Sequence, residues 1–157
     1  MTWRELIEIL SGTVGSLFFA MLFNMRGKRL AVGTLGGFLS WTAYIFFEEL
    51  TNSEVMSYFL VALFVTVYSE VMARVVKSPT TAFIIASLIP LIPGSSLYYT
   101  MRYALSNNSE LFSARALYTL ELAAALALGV IVATAAAKIY FDVKQRHRES
   151  RKNRCEK

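Results

Sequence analysis

Five long apolar runs dominate the chain: Leu6–Phe23, Leu30–Leu50, Val55–Val76, Ala82–Leu105 and Ala116–Phe141. At 1.5 Å of helical rise per residue, each is long enough to cross a hydrocarbon core of ~30 Å. The links between them are short and polar, reading "NMRGKR", "TNSE", "VKSPTT" and "SNNSELFSAR". The fold class that follows is an all-α integral membrane protein with five transmembrane helices. Only 17% of the residues are charged and 55% are hydrophobic, against about 25% charged in a soluble domain. That excludes a soluble globular enzyme. The membrane domain is expected over residues 1–141 and a basic cytoplasmic tail over residues 142–157.

The residue inventory narrows the chemistry further. The single cysteine, Cys155, and the single histidine, His147, both lie in the tail. No disulfide framework, thiolate metal cluster, zinc site or His-based triad can be assembled from them within one chain. No metal, no cofactor and no enzymatic activity are expected. The N-terminal "MTWRELIEIL" carries Glu5 and Glu8 where a signal peptide has its basic region, so it reads as mature protein.

Charge placement sets the orientation. Arg26, Lys28 and Arg29 lie in the first link, and Arg74 and Lys77 flank the third. The tail holds Lys144, Arg146, Arg148, Arg151, Lys152, Arg154 and Lys157. Glu48, Glu49 and Glu54 surround the second link, and Arg102, Glu110 and Arg115 the fourth. The positive-inside rule then predicts the N-terminus outside and the C-terminus inside. The tail reads as a topology anchor rather than a nucleic-acid arm, so no nucleic-acid partner is expected.

Small residues recur at spacings that let membrane helices approach closely. Gly33 and Gly37 form G-x-x-x-G, Gly12 and Ser16 make a similar pair, and the last run reads "LAAALALGVIVATAAA". These faces serve either packing within the chain or contact with a partner.

The fourth run contains "LIPLIPGSSLYYTM", residues 88–101. Pro90 and Pro93 cannot donate to the carbonyls one turn back, and their rings clash with that turn. Gly94 permits a sharp change of direction, and Ser95 and Ser96 stand where they can cap a new helix. Two half-helices are predicted, Ala82–Ile89 and Ser95–Leu105, joined by an unwound "PLIPG" near the bilayer midplane. Exposed backbone is costly in hydrocarbon, so such a break must be buried or line a wet cavity. Discontinuous midplane helices are recurrent substrate sites of secondary transporters, and the positive end of the second half would suit a carboxylate. A plain structural kink is the other reading.

Two acidic residues, Glu70 and Glu121, fall inside runs and away from their ends. Glu70 precedes Arg74 by one helical turn and reads either as a relay carboxylate or as an ion-pair partner. Glu121 lies in the outer third of the last run, either on a proton path or near the headgroups. Tyr98, Tyr99 and Tyr103 either line a cavity or sit in the aromatic belt.

The stretches "SLFFAMLFNMRGKRLAVGTLGGFLSW", "SEVMARVVKSPTTAF" and "LIPLIPGSSLYYTM", in that order, resemble the short-subunit branch of the threonine/serine exporter family. The similarity runs from about Leu6 to Lys138. The resemblance implies proton-driven efflux of small amino acids such as threonine and serine, or of dicarboxylates such as succinate. It places the chain in a bacterial plasma (inner) membrane. Asn24, Glu70, Arg74, Pro79, Pro90, Pro93, Gly94 and Tyr98 carry over as family-like positions. With the residues of the break, the candidate substrate-binding set is Asn24, Pro90, Pro93, Gly94, Ser95, Ser96 and Tyr98. Glu70, Arg74 and Glu121 are the candidates for proton coupling.

In the split members of that family, one chain has a soluble domain and about five spans, and the other is a bare five-span unit. This chain is similar to the bare unit, which implies a second membrane subunit with a soluble domain. An odd number of spans lets two such units form an inverted repeat around a midplane site. The alternative is a non-transporting scaffold that stabilises a partner, which predicts a break filled by side chains and dry. A membrane enzyme is disfavoured, because no base stands near Ser95 or Ser96 in the sequence.

Overall fold

The computed structural model describes residues 3–106 and 108–155, including side chains other than those of Arg4, Asp142 and residues 145–155. The side chains of Arg146, His147, Arg148, Arg151, Lys152, Arg154 and Cys155, and the whole of Lys157, lie outside the described residues. The described chain is helical: α1 (Trp3–Leu22), α2 (Lys28–Thr51), α3 (Glu54–Val76), α4 (Thr80–Leu88), a 3-10 turn (Ile89–Leu91), α5 (Gly94–Leu105) and α6 (Ser109–Cys155). Four helices are long and apolar enough to cross a membrane. The pair Thr80–Leu91 and Gly94–Leu105, bent by 60°, makes a fifth crossing when counted as one span. The backbone does not break where the sequence places the start of the basic tail, since α6 continues through 47 residues.

Tight turns set the antiparallel order of the first four helices. Asn24 (φ 56°) and Gly27 (φ 59°) take left-handed backbone between α1 and α2, a conformation open to glycine and tolerated by asparagine. Asn52 (φ 50°) ends α2, donating its N–H to the Glu48 carbonyl. Lys77 (φ 52°) ends α3, and the Ser78 N–H returns to the Ala73 carbonyl at 2.9 Å. Pro79 follows and cannot continue that helix.

The register between α1 and α2 comes from side chains too small to hold the backbones apart. A Cβ added to Gly37 would lie 1.9 Å from Ser16 Oγ, and one on Gly12 1.9 Å from Trp41 Cδ1. Gly33 is less tightly packed, with Met25 Sδ at 3.2 Å, Ala20 Cβ at 3.5 Å and Ala86 Cβ of α4 at 3.8 Å from such a Cβ. The Gly33/Gly37 face is therefore filled within the chain, by α1, the turn after it and α4, which is the packing one of its two readings.

Helices α3 and α6 run parallel along the whole of α3. Glu54 meets Tyr118, Tyr58 packs with Leu122 and Ala125, and the Arg74 guanidinium lies 3.7 Å from the centre of the Phe141 ring. Gly129 permits the closest approach, because a Cβ there would lie 2.7 Å from the Phe59 carbonyl oxygen. In the alanine-rich stretch Ala125 and Ala133 are buried, while Ala124 stays exposed. The basic links converge at one end of the bundle, where Arg29 Nη2 donates to the Lys77 carbonyl at 3.4 Å.

Candidate functional site

The break in the fourth span is shorter than its composition suggests. Pro90 and Leu91 belong to the 3-10 turn, so only Ile92 and Pro93 lie between the helical segments. The prolines make the bend. Gly94 starts α5, and Gly27 is the one glycine with positive φ among the described residues. Nor do Ser95 and Ser96 cap the new helix. Pro93 occupies the cap position with no side-chain hydrogen bond, and its carbonyl accepts from the Leu97 N–H at 3.0 Å.

Neighbouring groups satisfy part of the interrupted backbone. The Ser40 hydroxyl on α2, fully buried, donates to the Ser87 carbonyl at 2.6 Å. The Ile89 carbonyl accepts from the Ile92 N–H at 3.2 Å. Serine hydroxyls commonly perform this repair where membrane helices are broken. The buried hydroxyls of Ser16, Thr66, Ser69 and Ser87 have no partner among the described residues, so the core around the break is polar.

The break begins at mid-height of the bundle. Leu91 packs against Val61 and Val65, halfway along α3. The chain then climbs through Ile92 and Pro93, and Ser96 Oγ meets Thr119 Oγ1 at 2.8 Å. Thr119 follows Tyr118, whose hydroxyl donates to Glu54 at the start of α3. The N-terminal end of α5 therefore stands level with the start of α3, above the mid-height of the bundle.

There a pocket of about 420 Å³ opens, lined among others by Glu54, Ser95, Ser96, Tyr99, Arg115 and Tyr118. Its size falls within the range of small-molecule sites. Thr100 Oγ1 also meets Thr119 Oγ1, at 3.0 Å, and closes the hydroxyl cluster behind Ser96. Glu54 accepts from Tyr118, while Arg115 brings the opposite charge to the same space.

The expected site residues separate into groups. Pro90, Pro93 and Gly94 shape or flank the bend, and Ser95 and Ser96 reach the pocket. Tyr98 is 62% exposed, and Tyr99 takes the lining position instead. Asn24 lies in the α1–α2 turn with the basic links, away from the break. Glu70 is buried (6% exposed) on α3 and ion-paired with Arg74. Glu121 is exposed and lies near Ser53 and Val55. Pro79 precedes α4 as its cap.

Glu54, Arg115, Tyr118 and Thr119 fall outside the candidate set that the sequence supplies, and Tyr99 takes the cavity-lining one of its two readings. In the sequence the first two read as link charges, and no local pattern joins residues 64 positions apart.

A family model described as "Threonine/Serine exporter, ThrE" matches residues 8–136, most of the chain. Among curated proteins and among solved structures, nothing matches.

Proposed function

The chain belongs to the threonine/serine exporter family, and from that premise we propose that it is one subunit of a proton-driven exporter of small amino acids. The family is one of transporters rather than enzymes. The observation that carries the finer reading is the bent fourth span with a polar pocket at the head of its second half. Export of threonine or serine is the first expectation, with dicarboxylates such as succinate as the other substrate class.

A second subunit with a soluble domain completes the transporter. Helix α5 rests on α6 and leaves Leu97, Met101 and Leu105 exposed, a surface suited to that subunit. Two five-span units of opposite orientation would form an inverted repeat. The convergence of basic residues at one end supports an inner-membrane orientation with the N-terminus outside and the C-terminus inside. Glu70 and Arg74, paired near that end, are the groups through which a proton would couple.

The scaffold reading requires a filled, dry break. Leu91 does fill the α3 side, but the pocket on the α5 side favours transport. The test is efflux of radiolabelled threonine from cells expressing this chain with and without the neighbouring membrane gene, in wild-type and Glu70→Gln forms. Efflux only with both genes, losing its pH dependence in Glu70→Gln, is expected. Equal efflux by this chain alone would remove the partner, and no efflux with either arrangement would favour the scaffold.

A further inference from the structure

Glu54 and Arg115 face the same pocket from different helices, yet no ion pair joins them among the described residues. Glu54 starts α3, and one of its carboxylate oxygens accepts from the Tyr118 hydroxyl. That bond holds the carboxylate at the wall of the pocket. Arg115 stands one helical turn before Thr119, whose hydroxyl accepts or donates in the cluster with Ser96 and Thr100. The start of α5 adds backbone N–H groups on the same wall.

We infer that this pocket binds the head of a free α-amino acid, with Glu54 holding the α-ammonium and Arg115 the α-carboxylate. The chemistry follows from the pairing. An ammonium beside a carboxylate oxygen and a carboxylate in a guanidinium fork both make charge-assisted hydrogen bonds, roughly twice as strong as neutral ones. Ser95 and the Tyr99 hydroxyl remain to meet a hydroxyl on the ligand side chain. A dicarboxylate presents no ammonium and would set its second carboxylate against Glu54. The pocket therefore discriminates between the two substrate classes of the proposed exporter, in favour of the zwitterion. This deepens the exporter reading and rests on it for the identity of the ligand.

The same ammonium-plus-anion chemistry occurs in a phosphatidylethanolamine headgroup, so the test must separate the two sources. The full chain is reconstituted in phosphatidylglycerol nanodiscs, with or without phosphatidylethanolamine, and equilibrium binding of radiolabelled L-threonine is measured with succinate as competitor. Threonine binds and succinate fails to displace it. Glu54→Gln and Arg115→Gln each weaken binding about tenfold or more, the loss expected from one charge-assisted bond. Arg115→Lys retains part of the affinity, and Glu110→Gln, on the same helix outside the pocket, changes nothing. All variants are compared after wild-type elution on size exclusion, so loss of folding is excluded.

Threonine binding that is indifferent to both pocket variants would overturn the assignment. So would competition by succinate, or a threonine signal that phosphatidylethanolamine abolishes while the lipid itself co-purifies in a Glu54- and Arg115-dependent way. Binding without export by the two-subunit system would leave the pocket standing and sink the exporter reading. Export unaffected by Glu54→Gln and Arg115→Gln would do the reverse.

Discussion

The two halves of the fourth span make opposite arrangements with the rest of the bundle. Helix α4 is wedged among α1, α2 and α3, and Phe83, Ala86 and Ser87 are buried in it. Helix α5 packs on α6, and of its residues only Ser96 is buried. One half is held by backbone-close packing, the other by a patch of hydroxyls and a single neighbour. The difference locates rigidity below the break and freedom above it. Local stability in proteins falls where buried contacts are few, and moving elements are drawn from that end of the range. A pocket at the junction thus has one fixed wall, Glu54 and Tyr118 on α3 and α6, and one wall that can shift.

The contrast can be broken most severely from the fixed half. A Cβ on Gly36 would lie 2.0 Å from Ser87 Oγ and 3.0 Å from Ser87 Cβ. Gly36→Leu should push α4 off α2. Overpacking costs about 1–3 kcal/mol in well-packed cores, and a leucine exceeds the usual case. Loss of the monodisperse peak on size exclusion is the expected result, and a normal peak would mean that α4 is not wedged.

Straightening the joint comes next. Pro90→Ala with Pro93→Ala restores two backbone donors and removes the ring clashes that bend the chain. The double variant should insert and fold but export no threonine when co-expressed with the proposed second subunit. Unchanged efflux would make the bend a structural kink alone.

On the loose half the effects shrink. Ser96→Ala removes the hydroxyl that meets Thr119, a loss of about 0.5–1.5 kcal/mol. Amide exchange in α5 should rise while that in α4 stays the same. Equal changes in both would show that the two halves open together.

The smallest effect falls on a residue that the sequence makes prominent. A Cβ placed on Gly94 would meet nothing within 4 Å, and its φ is not left-handed. Gly94→Ala should alter thermal stability by less than about 0.5 kcal/mol, as surface substitutions do. A large loss would mean that α5 packs more tightly than α6 alone allows.

Gly94 also shows where reading from sequence succeeds and where it stops. The apolar runs are legible because a span needs only length and composition, and Pro90 with Pro93 announces a break by chemistry local to the chain. Glycine takes the credit for the bend in the sequence because its conformational freedom is visible there, whereas its use is not. Glu54 and Tyr118 lie 64 residues apart, and only the parallel register of α3 and α6 brings them together. That register depends on Gly129 clearing the Phe59 carbonyl, a contact with no periodic signature. Gly33 and Gly37 are readable as a close-packing face, but not which helix fills it.

The candidate span Ser109–Phe141 of α6 has 33 residues, about 50 Å of helix at 1.5 Å per residue. Its first two turns, "SELFSAR", are polar, and the apolar run begins at Ala116. That run, about 39 Å long, already needs a tilt to fit a hydrocarbon core of ~30 Å, so the polar turns before it overhang the hydrocarbon. Arg115 and the hydroxyl cluster at Thr119 lie where that overhang meets the apolar run, with α5 fastened to it. Bilayer thickness thereby becomes a setting of the molecule: longer acyl chains draw the α5–α6 hairpin into hydrocarbon, and shorter ones lift its charged mouth into water.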